Sequence, residues 1–130
     1  MVKEWQQKQL TVNQPAGHLE NHESLQQAVA REVLEETGWL VEPLAIVGLY
    51  AFTPEPDSDS YHRVCFVCQA QQHTDQELDA DIHSAVWLTK DEIAALPQRS
   101  PLVLQCIEDF ENGATYPLAL INNQSLTAYN

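Results

Sequence analysis

Glu32, Glu35 and Glu36 stand within five positions of one another. At about 100° per residue on a helix they share an arc of roughly 100°. Like charges at i,i+4 cost about 0.2–0.5 kcal/mol, and the helix dipole disfavours anions near a C-terminal end. A solvated acidic face is the ordinary account of such a pattern. Leu25, Ala28 and Val29, however, project near the same arc one or two turns earlier, so this face is not simply exposed. A hard divalent cation held by carboxylate oxygens would offset the repulsion.

A helix must carry these acids, and the sequence marks both its ends. Ser24-Leu25-Gln26-Gln27 has the form of a capping box, with the Ser24 hydroxyl accepting from the Gln27 N–H and Gln27 reaching back. Leu25 to Glu36 is rich in helix formers and free of Pro and Gly. Gly38 suits the left-handed position beyond the helix, and Trp39 could then pack back on Leu34.

With Gly17, Glu23, Arg31, Val33, Gly38 and Trp39 added, the spacing becomes G-x5-E-x7-R-E-U-x-E-E-x-G-U, where U is a bulky apolar residue. This stretch resembles the signature of the Nudix hydrolases. Agreement at its invariant positions, each of roughly 6% usage, arises by chance less than about once in a hundred million starts. QPAGHLE before the helix, RSPLV from Arg99 and YPLALI from Tyr116 are similar to the NudJ-type Nudix phosphatases.

The resemblance implies an α+β fold, an α/β/α sandwich with a mixed sheet between helices. It implies Mg2+ or Mn2+ held by the Ala16 carbonyl, Glu32, Glu35 and Glu36. A glutamate of the trio, Glu32 or Glu36, or an acid from a later loop would be the catalytic base. Gly17, Glu23, Arg31 and Gly38 would be structural, with Glu23 and Arg31 bracing the loop on the helix. Gln14 and His18, flanking Ala16, become substrate contacts. The implied reaction is hydrolysis of a nucleoside di- or triphosphate, or of a related organic pyrophosphate such as that of the thiamin pyrimidine precursor. A nucleotide-sugar or dinucleotide pyrophosphatase is the alternative enzyme, and a Nudix-fold nucleotide-binding regulatory module the alternative of another class.

Composition bounds the rest. The chain of 130 residues, 44% hydrophobic, has the size of a single domain, residues 1–130. A formal net charge of −13 argues against binding nucleic acid polymers or anionic membranes through a basic surface. The expected partner is a small phosphoanhydride. Three cysteines make no disulfide framework. Cys65 and Cys68 fall on opposite faces of a strand, which points to buried structural thiols. No signal peptide or membrane-spanning apolar run is present in the sequence, which points to the cytoplasm.

Along the chain, Met1–Trp5 and Gln9–Val12 form a candidate strand pair around Gln6-Gln7-Lys8. The Nudix sheet normally has more strand before its signature, so the N-terminal strands are expected to be missing or shortened. Such a sheet would be completed by strand exchange in a homodimer, or the chain would be a loose monomer. Strands are expected near 44–52, over 61–71 and at Ala85–Leu88. Arg63, one of only six basic residues, is a candidate for a substrate phosphate. Among the acids of the loop 72–83, Asp79 and Asp81 are favoured over Glu77 by likeness to the NudJ arrangement. Thr89 caps a short helix, Ser100-Pro101 opens the last one with Pro at its first position, and 116–130 is a docked tail that frays.

Overall fold

The computed structural model describes residues 1–127. Residues 128–130, where the tail is expected to fray, lie outside the described residues. The strand pair at the N-terminus is a hairpin of β1 (Val2–Gln6) and β2 (Gln9–Asn13). Its two turn residues, Gln7 and Lys8, both have positive φ, 47° and 68°. That is the twist a two-residue hairpin requires, supplied here without the usual Asn or Gly. β1 runs between β2 and β5 (Ile82–Ala85), antiparallel to both. This central place explains why Val2 is 0% exposed.

The Trp-bearing strand expected at Ala85–Leu88 thus lies three residues earlier. Its partner sets this register: the ladder runs from Glu4↔Ile82 to Val2↔Ala85, and Val86 N–H then meets the Met1 carbonyl at 2.9 Å.

A second sheet is the long hairpin of β3 (Trp39–Phe52) and β4 (Tyr61–His73). Three register shifts interrupt the ladder, at Leu40/Val41, Pro43/Ala45 and Ile46/Gly48. β3 begins five residues before the strand expected near 44–52, because Trp39 already pairs with His73. Within the described residues β4 pairs with β3 alone. The strands thus form two sheets between the helices, and among the described residues the bridge Val12↔Gln98 is parallel.

α1 (Leu25–Thr37) has the capping box in full. Gln27 N–H donates to Ser24 Oγ at 3.0 Å and Ser24 N–H to Gln27 Oε1 at 2.9 Å. Gly38, at φ 78°, ends the helix with its N–H on the Leu34 carbonyl. Trp39 N–H donates to the Thr37 hydroxyl at 3.1 Å, and its ring meets His73 and Trp87 edge-on at 5.1 and 5.7 Å.

α2 (Lys90–Ala94) is capped reciprocally by Thr89 and Glu92. α3 (Leu102–Glu111) starts one residue after Pro101, with the Ser100 hydroxyl accepting from Leu102 N–H at 3.2 Å. Val12, Ile93 and Val103 form the core where β2, α2 and α3 meet, with Leu88, Leu96, Leu104 and Ile107 around them. Val12 N–H and carbonyl are tied to Pro97 and Arg99, so β2 leads from this core into the loop Gln14–Gly17.

Candidate active site

The loop after β2 lies over the C-terminal half of α1. A Cβ on Gly17 would overlap the Glu32 carboxylate. Gly17 has no positive φ, so glycine is needed there for close approach and not for backbone freedom. Arg31 ties the loop down. Its Nε and Nη2 donate to the two oxygens of Glu23 at 2.7 and 3.0 Å, and Nη2 also reaches the His18 carbonyl at 3.0 Å. Such a forked pair is strong and directional. It holds the Glu23 carboxyl below its ordinary range, chiefly through the Arg31 hydrogen bond, and the Arg31 guanidinium above its own.

Arg31 also orders the acids. Its Nη1 donates to Glu32 Oε1 at 2.8 Å and to Glu35 Oε2 at 3.2 Å. Glu36 receives no such help. It is 6% exposed, and its Oε1 accepts from Ala16 N–H at 3.4 Å. Burial first, then the hydrogen bond with Glu32 and the charge of Glu4, push its carboxyl up to about 8. A buried carboxylate facing other carboxylates calls for a positive charge.

The donor set suits a hard divalent cation: carboxylate oxygens of Glu32, Glu35 and Glu36, with the Ala16 peptide beside Glu36. Among the described residues no three such side chains already converge as a finished metal site. Glu32 and Glu35 are turned toward Arg31.

Glu32 faces a cleft of about 950 Å³ that is also lined by Gln14, Ala16, Gly17 and His18. Arg63 enters it from β4, donating to Gln14 Oε1 at 3.2 Å and to Asn13 Oδ1 at 3.4 Å. Asp79 and Asp81, the favoured loop acids, are exposed and do not line this cleft. Asp79 N–H is spent on the Glu35 carbonyl at 2.9 Å, which ties the loop to the last turns of α1.

The sequence reading passed over three residues of the cleft: Glu4, Asn13 and Arg99. For Glu4 the available signal was its place two residues from Val2 on one strand face. Nothing local marked the other two. The cysteines also part from expectation. Cys106 is buried, but Cys65 and Cys68 are only half-buried. The Cys65 thiol hydrogen-bonds Cys106 and, with Arg63 nearby, brings the Cys106 thiol down to about 7.

A NUDIX domain model matches residues 1–109. Phosphatase NudJ of Escherichia coli K12 and that of Shigella flexneri are each 38% identical over 118 residues, covering 85% of this chain and 73% of the relative. A solved NUDIX hydrolase from Nitrosomonas europaea superposes with a TM-score of 0.89 at 42% identity, covering 93% of this chain and 84% of its own. With loop, brace and glutamates set on one such fold, the chain is a member of the Nudix hydrolase family.

Proposed function

We propose that this hydrolase cleaves a nucleoside di- or triphosphate, or a related organic pyrophosphate, with Mg2+ or Mn2+ held at Glu32, Glu35, Glu36 and the Ala16 carbonyl. Nudix hydrolases generally need divalent metal ions, and the phosphatase relatives favour orthophosphate as a product. One observation carries the reading: Glu36 is a buried carboxyl set against Glu32, and among the described residues no basic side chain is bonded to it. The ion, when bound, neutralises phosphate charge and lowers the pKa of an attacking water.

The chain's own residues do the rest. Arg31 holds Glu32 and the His18 carbonyl in place, so that loop and helix move as one piece. Glu32, the box glutamate that faces the cleft, takes the proton of the attacking water. Gln14, His18 and Arg63 meet the substrate's phosphates. The protein works as a monomer or as a homodimer that exchanges strands, with no nucleic acid polymer and no membrane as partner. No described helix is long and apolar enough to cross a membrane.

The test is phosphate release with magnesium across nucleoside phosphates, nucleotide sugars and the thiamin pyrimidine diphosphate, with orthophosphate and pyrophosphate assayed separately. Glu36→Gln should lower turnover by on the order of 100-fold or more and abolish stabilisation by magnesium in a melt. Asp79→Asn and Asp81→Asn should each keep most of the activity. Pyrophosphate release from nucleotide sugars alone would favour the pyrophosphatase alternative. Nucleotide binding without turnover would favour a regulatory module.

A further inference from the structure

We infer that Arg63 and Arg99 form a cradle for a second anionic group of the substrate, apart from the box glutamates, and that this selects substrates ending in a free phosphate. The inference rests on the proposed hydrolysis of phosphoanhydrides and narrows which ones. The chain has six Lys and Arg against nineteen Asp and Glu, so positive charge is scarce and its placement informative. Arg31 is committed to four glutamates and Lys90 to Glu111. Of the remaining cations, Arg63 and Arg99 both line the cleft that Glu32 faces, and Lys3 and Lys8 do not.

Arg63 is half-buried, yet among the described residues no carboxylate lies within ion-pair distance of it. Its acceptors are two neutral amide oxygens, on Gln14 and Asn13. Those amides are themselves fixed. Asn13 is 8% exposed, and Gln14 Nε2 donates to the Val103 carbonyl at 2.8 Å. Neutral acceptors orient a guanidinium without cancelling its charge, and five N–H donors leave several for a ligand. Asn13 and Gln14 are then positioning residues for Arg63. The Cys106 thiol nearby is brought down chiefly by its hydrogen bond with Cys65 and then by the charge of Arg63.

Arg99 is tied to the same segment. Its N–H donates to the Val12 carbonyl at 2.9 Å, and Gln98 bridges Val12. Its side chain is exposed at the mouth of the cleft, next to Ser100 and the positive end of α3. Residues 12–14 thus carry both arginines and run on into Ala16 and Gly17. A phosphate bound between the arginines would be continuous with one at the glutamates, as in a di- or triphosphate. A nucleotide sugar has a neutral group in that place.

The test compares Arg99→Gln, Arg63→Gln and Arg63→Lys with a nucleoside triphosphate and a nucleotide sugar in magnesium. For the triphosphate, either Gln variant should raise KM about tenfold or more with kcat held within about threefold. Arg63→Lys should recover part of the loss, and in each Gln variant KM should rise at least about fivefold more for the triphosphate than for the nucleotide sugar. Equal changes for both substrates, or none, would overturn the cradle. Arg99, exposed and bonded only through its backbone, keeps the test open if Arg63 variants fail to fold. If wild-type protein hydrolyses neither substrate, the hydrolase reading fails by itself. Calorimetry with inorganic pyrophosphate and magnesium then decides the cradle: weaker binding by Arg99→Gln supports it, and unchanged binding sinks it.

Discussion

Glu36 concentrates the site's electrostatic cost in one side chain, and its titration gives a sign that can be checked. Its folded pKa, about 8, lies above the ordinary carboxyl value of 4.5, so folding favours the protonated form. Its contribution to stability is complete below about pH 4.5 and is lost as pH rises through 8. Cys106 acts in the opposite sense, since its pKa is lowered from 9.0 to about 7. The measurement is therefore a difference. In chelator, the melting temperature of wild type relative to Glu36→Gln should fall between pH 5 and 8, and magnesium should reverse the fall. A flat difference would remove the crowding argument. Gly17 supplies a second residue-scale prediction. Gly17→Ala puts a methyl where the Glu32 carboxylate lies without backbone strain, so the fold should survive. The magnesium needed for half-maximal activity should rise about 10–100-fold.

At the scale of elements, α1 and the first hairpin differ in how well their sequences match their shapes. The capping box and Gly38 agree fully with the helix observed, so the local signal sufficed there. The turn Gln7-Lys8 does not agree with its left-handed backbone. Replacing the pair by Asn-Gly should stabilise the protein by about 0.5–1 kcal/mol in denaturant titrations. No gain would mean that the hairpin is held by β5 and the core, whatever the turn contains. The shifted limits of β3 and β5 come from the same cause as their pairing. A strand extends as far as its neighbour offers partners, and Trp39 and Ile82 met theirs outside the stretches that alternation marked.

For the molecule as a whole, nineteen acids against six bases make self-repulsion a standing cost of the compact state. Raising sodium chloride from about 10 to about 200 mM should lift the melting temperature by a few degrees. Magnesium at far lower ionic strength should do more, because it acts at one place. If the two salts were equivalent at equal ionic strength, divalent binding at the glutamates would be contradicted. Arg63 and Arg99 run against this field where they line the cleft.

The family, the α+β class, the helix and its caps were legible from residues 17–39, because a close-packed loop on a helix needs fixed residue types at fixed spacing. Arg63 stood out in the sequence through the scarcity of its charge. The division of the strands into two sheets was not legible, since pairing joins segments as distant as Val2 and Ala85. Nor was the place of Asp79 and Asp81 outside the cleft lining, with Asp79 tied through its backbone to Glu35. Glu4, Asn13 and Arg99 lie far apart in sequence and came to line one cleft with Glu32 only when β1, β2 and the entry to α3 met around Val12. Sequence by itself determined which chemistry the box can hold. Only the tertiary structure decided which distant charges face it, because electrostatic partners are chosen by distance through space.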